Sequence, residues 1–156
     1  IFGRGYGSDV ILDADFASAL FGPKDDLLQF QDDIRWTDIE FLRDGSSDTL
    51  TLRLSGTEDE VILTDYLEYI LLVGYTNLIE EIEFGDGTVW NYLKLLQHYV
   101  DIARTDGDDT IYGFETVADR IAGGLGDDRL AGQSGNDTYL FGTGDGTDTI
   151  LDRAGQ

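Results

Sequence analysis

The sequence predicts a mainly β protein: a run of short strands and tight turns, joined to a small strand-rich α+β domain that closes with one C-terminal helix. Three observations predict it. From Arg104 onward, one large apolar residue recurs about every nine positions in a setting of Gly and Asp. Between Leu27 and Val100, apolar and polar residues alternate in short runs broken by glycine turns, the period of a half-buried strand. One stretch, "WNYLKLLQHYV", changes to helical spacing.

The chain opens on "FGRGYGSDVILD" (Phe2 to Asp13), and "FGTGDGTDTILD" (Phe141 to Asp152) repeats it 139 residues later. Phe, three glycines, Asp, Ile, Leu and the last Asp coincide, and Ser is exchanged for Thr. A chain carrying the same phrase near both ends is expected to be one period of a tandem array. "TDIEFLRDGSSDTLTLRL" alternates around Asp44-Gly45-Ser46-Ser47 and predicts a β-hairpin. "EVILTDY" continues it after Ser55-Gly56-Thr57. "LIEEIEF" and "TVW" flank Gly85-Asp86-Gly87 and predict a second hairpin. Tyr92, Leu93, Leu96, Tyr99 and Val100 then fall on one face of a helix that Thr88 or Asn91 caps.

From Arg104 the chain reads "RTDGDDTIY", Gly113, "FETVADRIA", "GGLGDDRLA" and "GQSGNDTYL". The sixth positions are Asp109, Asp119, Asp128 and Asp137, and the eighth are Ile111, Ile121, Leu130 and Tyr139. One inward side chain per nine residues is not a helix period. It fits short strands alternating with turns.

Ten Lys and Arg stand against 32 Asp and Glu, a formal net charge of −22. So acidic a chain is unsuited to nucleic acid or an anionic membrane surface. Yet 41% of residues are hydrophobic, too many for plain disorder. A cation binder accounts for the charge best. With no Cys and no Met, disulfides and thiolate metal sites are excluded, which suits a protein exported unfolded. The longest apolar run, Tyr69 to Val73, is too short to span a bilayer, so no direct membrane insertion is expected.

The repeated unit is G-G-x-G-x-D-x-U-x, with U a large apolar residue. "GGLGDDRLA" matches it throughout, "GQSGNDTYL" departs at the second Gly, "RTDGDDTIY" keeps Gly, Asp and the apolar place, and "FETVADRIA" is degenerate. Calcium is a hard cation that takes roughly six to eight oxygens. A glycine turn can aim its carbonyls at one centre, and the sixth-position Asp adds a charged ligand. If turns alternate sides, Asp109 lies over Asp128, Asp119 over Asp137, and Asp128 over Asp148. A cation between each pair turns repulsion into ligation.

The repeat resembles the RTX (repeats-in-toxin) family, the haemolysin-type calcium-binding repeat of proteins exported by type I secretion. The middle, through "LTLRLSGTEDEVILTDY" and "IEEIEFGDGTVW", resembles the haemolysin-type calcium-binding-related domain that interrupts such repeats. The resemblance implies a parallel β-roll with Ca2+ between stacked turns. It implies carboxylate ligands Asp109, Asp128 and Asp137, with Asp119 and Asp148 weaker. Carbonyl ligands would come from Arg104, Asp106, Gly107, Gly123, Gly124, Leu125, Gly126, Gly132, Ser134 and Gly135. It divides the chain into residues 1–23 (the end of a preceding repeat block), 24–103 (the related domain) and 104–156 (the roll).

The expected protein is a secreted, extracellular bacterial calcium-binding module and not an enzyme. Its partners would be calcium ions, neighbouring modules of the same parent chain and the type I secretion machinery. The alternative is a calcium-scaffolded adhesin or carbohydrate-binding module. Self-cleavage at an Asp-Pro bond is disfavoured, since the only proline, Pro23, follows Gly22. Asp25-Asp26 and Asp32-Asp33 read as solvated surface rather than a catalytic pair. His98 is alone, with no partners for a triad or zinc site. Trp36 and Trp90 read as core.

Overall fold

Asp44-Gly45 and Ser55-Gly56-Thr57 reverse the chain between alternating runs, and a three-strand meander results. In the computed structural model, which describes residues 1–12, 26–45, 47–67, 69–70, 74–75 and 79–153, Ile39–Leu42 (β3) pairs antiparallel with Leu50–Leu54 (β4). β4 pairs in turn with Glu60–Leu63 (β5). Asp13, Gly22, Pro23, Asp25, Ser46 and Leu71 to Val73 lie outside the described residues. Register Ile39↔Leu54 and Phe41↔Leu52 keeps the apolar set on one face, and Leu52 and Leu54 are fully buried.

The chain divides into two units, Ile1–Tyr92 and Leu93–Gln156. In the first, Ser8–Ile11 (β1) adds in parallel to the outer edge of β5, giving the order β1-β5-β4-β3. A second sheet has Leu27–Gln29 (β2) parallel to Glu81–Glu83 (β8), which is antiparallel to Val89–Asn91 (β9). Between β5 and β8 in chain order, Tyr69–Ile70 (β6) pairs antiparallel with Gly74–Tyr75 (β7). Gly85-Asp86-Gly87 is the hairpin turn between β8 and β9: Phe84 N–H donates to Thr88 O, and Asp86 Oδ1 accepts from Thr88 N–H. Thr88 therefore serves that turn rather than the helix.

Aromatic rings fill this unit. Phe30 stacks on Phe84 at 5.5 Å, Phe84 meets Trp90 edge-on at 5.2 Å, and Trp36 lies 5.4 Å from Trp90. Such offset and edge-on pairs add to burial through the ring quadrupole. Tyr66 is also buried, and its hydroxyl donates to Ile79 O.

The helix runs Tyr92–Ile102 (α1), and Leu95, Leu96 and Val100 are its buried residues. Leu93, expected on that face, is 47% exposed. Leu95 takes the inward place instead, at the opposite border of the face that Leu96 and Val100 share. Beyond it each nine-residue unit makes one turn and one strand. Thr110–Tyr112 (β10), Arg129–Gln133 (β12) and Thr149–Asp152 (β14) form one parallel sheet. Arg120–Ala122 (β11) and Thr138–Leu140 (β13) form another. Ile111, Ile121 and Leu130 are fully buried, so the eighth position supplies the interior. The described chain is mainly β with one α-helix.

Candidate metal centre

Parallel pairing at offsets of 19, 18 and 20 residues stacks the turns that precede the strands. Asp109 N–H donates to Asp128 Oδ1 at 2.8 Å, Asp119 N–H to Asp137 Oδ1 at 3.0 Å, and Asp128 N–H to Asp148 Oδ1 at 3.0 Å. Stacked aspartates are therefore linked backbone to carboxylate. The expected stacking of Asp109 over Asp128, Asp119 over Asp137 and Asp128 over Asp148 takes this form, with one oxygen of each later carboxylate spent on the amide above it. A parallel ladder of Asp108 Oδ1 to Asp127 N–H (2.9 Å) and Asp127 Oδ1 to Thr147 N–H (2.8 Å) holds the fifth positions.

The second carboxylate oxygens differ. Asp128 is 2% exposed, and its Oδ2 is buried with no hydrogen-bond partner. Asp137 Oδ2 is likewise buried and partnerless. A buried anionic acceptor left unsatisfied costs roughly 1–3 kcal/mol or more. Burial raises the Asp137 carboxyl above its ordinary value, with the Asp119 N–H opposing and the Asp152 charge adding to the rise. Asp119 is also 2% exposed, and its Oδ2 accepts from Phe114 N–H.

Glycines crowd these oxygens. A Cβ on Gly123 would collide with the Asp128 carboxylate, and one on Gly132 with that of Asp137. At Gly126 the φ of +119° already favours glycine, and a Cβ would sit 2.7 Å from Gly107 O. At Gly124, φ is +99° and the nearest atom would be Thr105 O at 2.8 Å. The backbones of stacked turns thus approach one another through their carbonyls. Carboxylate and carbonyl oxygens are the donor types a hard cation such as calcium takes, and both line these stacked turns. The residues fit the ion. Among the described residues no group of three or more His, Cys, Asp or Glu side chains gathers to hold a metal, so carbonyls would have to complete any shell.

The remaining expected positions are placed as follows. Asp109 closes its own turn: Thr105 N–H donates to Oδ2 at 2.6 Å, and the Thr105 hydroxyl is 2.9 Å from Oδ1. Arg104, Asp106 and Gly107 lie exposed on that first turn. Leu125 is 48% exposed, leaving only its carbonyl available. Ser134 donates its hydroxyl to Glu115 and accepts from Thr116 N–H, and Gly135 lies against Val117 O. Asp148, from a segment with extra residues, still reaches the Asp128 amide.

Sequence reasoning missed Thr105, Val117 and Gly113. A Cβ on Gly113 would meet Asp119 Oδ2 as one on Gly123 meets Asp128 Oδ2, so Gly113, not Phe114, holds the first place of the degenerate turn. The signal was the spacing of ten between Asp109 and Asp119: the extra residue sits in the turn. Two non-glycine residues stand at positive φ here, Thr116 at 58° and Gln133 at 70°. Gln133 is where the motif's second Gly is replaced.

Residues 49–92 match the haemolysin-type calcium binding protein related domain. The matched stretch runs from the start of β4 through β9 to the first residue of the helix, and it contains both phrases that carried the resemblance. No match was found among curated proteins or among solved structures.

Proposed function

We propose that residues 104–152 fold as a calcium-binding parallel β-roll, and that the chain is a calcium-dependent structural module of a secreted bacterial protein. The observation that carries this reading is that Asp128 Oδ2 and Asp137 Oδ2 are buried and partnerless in turns whose glycine backbones leave no room for a Cβ. The match of residues 49–92 to a calcium-binding-related domain supports the same ion.

Bound calcium would supply the positive charge these oxygens lack. This chain's residues do the rest. Asp128 and Asp137 would give charged ligands, and Asp119 and Asp148 would support them as neighbours in the stack. Asp109, whose carboxylate Thr105 already engages, would close the first turn. Gly107, Gly123, Gly124, Gly126, Gly132 and Gly135 would give carbonyls and room.

Where calcium is scarce the acidic turns repel and the roll stays unfolded, a state suited to passage through a type I secretion channel. Outside the cell, calcium at the ~10⁻⁴–10⁻³ M affinity of extracellular modules binds only the folded roll and stabilises it by mass action. On this reading residues 1–23 close a preceding repeat block, and neighbouring modules of the parent chain are the partners. The role is binding and structure, with no catalytic step. The carbohydrate alternative would use Trp36 and Trp90, but these pack on each other in the first unit and Trp90 is only 6% exposed.

The test is circular dichroism of the whole chain during calcium addition. Strand signal should rise with calcium and fall with chelator. A signal indifferent to both overturns the reading.

A further inference from the structure

The phrase shared by Phe2–Leu12 and Phe141–Leu151 meets two different surroundings. Near the N-terminus it is docked. Phe2 is 3% exposed, edge-on to Phe30 at 6.0 Å, and its N–H donates to Gln29 O. Gly5 N–H and Gly7 N–H both donate to the Asp59 carboxylate at 2.8 Å. Glu60 N–H then donates to Gly7 O, Thr64 N–H to Ile11 O, and the Ser8 hydroxyl to Glu60. Phe141, which matches Phe2, is instead 56% exposed, and Ile150 and Leu151 are 43% and 39% exposed.

Successive residues of a strand turn their N–H and C=O groups to opposite edges. β1 offers Gly7 and Ile11 to β5; the matching positions are Gly146 and Ile150. β14 turns the other residues to the roll: Thr147 N–H bonds Asp127 Oδ1, and Thr149 N–H bonds Asp128 O at 2.7 Å. The two sets of hydrogen bonds use opposite edges of the same phrase, so one copy can make both at once. The turn geometry matches too, with φ of +79° at Gly5 and Gly7 and +99° at Gly144 and Gly146.

The geometry points to Phe141–Asp152 as a two-edged joining strand whose open edge docks on residues 26–92 of a second copy of this chain, filling the place that Phe2–Leu12 holds in its own. Gly144 and Gly146 would cradle the copy's Asp59, Thr147 would reach its Glu60, and Phe141 would enter the pocket at Phe30. Three contacts would be absent, because Thr143 replaces Arg4 of the Arg4–Asp33 pair and Asp145 replaces Tyr6, whose hydroxyl accepts from Gln31 and whose ring meets Phe2 edge-on. The copy's own segment therefore outcompetes the joining strand unless the two copies share it. In such a shared arrangement the roll of one period and the related domain of the next form a continuous sheet. The inference rests on strand geometry and stands apart from the metal reading.

The test is a tandem chain in which residue 152 is followed directly by residue 14 of a second copy. A control joins residue 156 to residue 1 of a complete second copy. Amide hydrogen exchange is read at Gly144 and Gly146 in calcium-containing buffer. In the shared-strand chain both amides should exchange at least about tenfold more slowly than in the single chain. Asp59→Ala in the second copy alone should undo that protection, and the control should keep single-chain rates. Equal rates in both tandem chains overturn the inference. So does a second copy that folds in the control but not when the strand is shared.

Discussion

Asp128→Asn separates a metal-ligand role for this carboxylate from a purely structural one, because the two predict different signs. In the fold, Oδ1 takes the Asp109 N–H at 2.8 Å, while Oδ2 is buried without a partner. Asparagine keeps an oxygen for the Asp109 amide and removes the charge, but puts an NH₂ where Oδ2 stood. Without calcium, relief of a buried unpaired anion, worth roughly 1–3 kcal/mol, is partly cancelled by the unpaired NH₂. The net expectation is no change to about 1 kcal/mol of gain. With calcium, loss of a charged ligand should weaken binding about tenfold to a hundredfold, or about 1.4–2.8 kcal/mol.

The assay is circular dichroism along two titrations, one with calcium and one with a stabilising osmolyte in chelator. Asp128→Asn should need more calcium to fold, yet no more osmolyte than the parent chain. A variant that needs more of both would show that Asp128 serves the backbone alone, and the ligand argument would fail.

Other expectations follow from neighbouring residues. Gly123→Ala drives a methyl into the Asp128 carboxylate and should lower calcium affinity at least about tenfold by calorimetry; unchanged affinity would contradict the packing argument. Gln133→Gly removes a left-handed strain of roughly 1 kcal/mol at φ +70°. In calcium it should raise the repeat's melting temperature by about 4–8 °C, and a lower midpoint would refute the strain. The Asp59 carboxyl is lowered, first by the Gly5 and then by the Gly7 N–H. Its contribution is therefore present above the unfolded value of about 3.9 and is lost as pH falls through the lower folded value. Protection of the Gly5 and Gly7 amides should fade over that acid window in the parent chain; pH-independent protection would contradict the assignment.

Much of the fold was legible because its signals are local. Asp44-Gly45 and Gly85-Asp86-Gly87 announce hairpins, and the nine-residue phase announces which aspartates stack. The parallel pairs β1–β5 and β2–β8 were not legible, since parallel strands have no joining turn to mark them. Asp59 went unread for the same reason: its partners Gly5 and Gly7 are more than fifty residues away. The helix face slipped at Leu93 because Leu93, Leu95 and Leu96 offer two registers. Around the candidate metal centre, carboxylates follow the motif, but the choice between an engaged oxygen and an orphaned one depends on Thr105 and on stacked amides. Gly113 could have been read from the spacing of ten residues before Asp119.

The most direct measurement of the central claim is amide exchange across residues 110–152 with calcium and then with chelator. Calcium-dependent folding predicts strong protection of β10 to β14 in calcium and its loss on chelation, with Asp109, Asp119 and Asp128 amides among the most affected. Equal protection in chelator would contradict it.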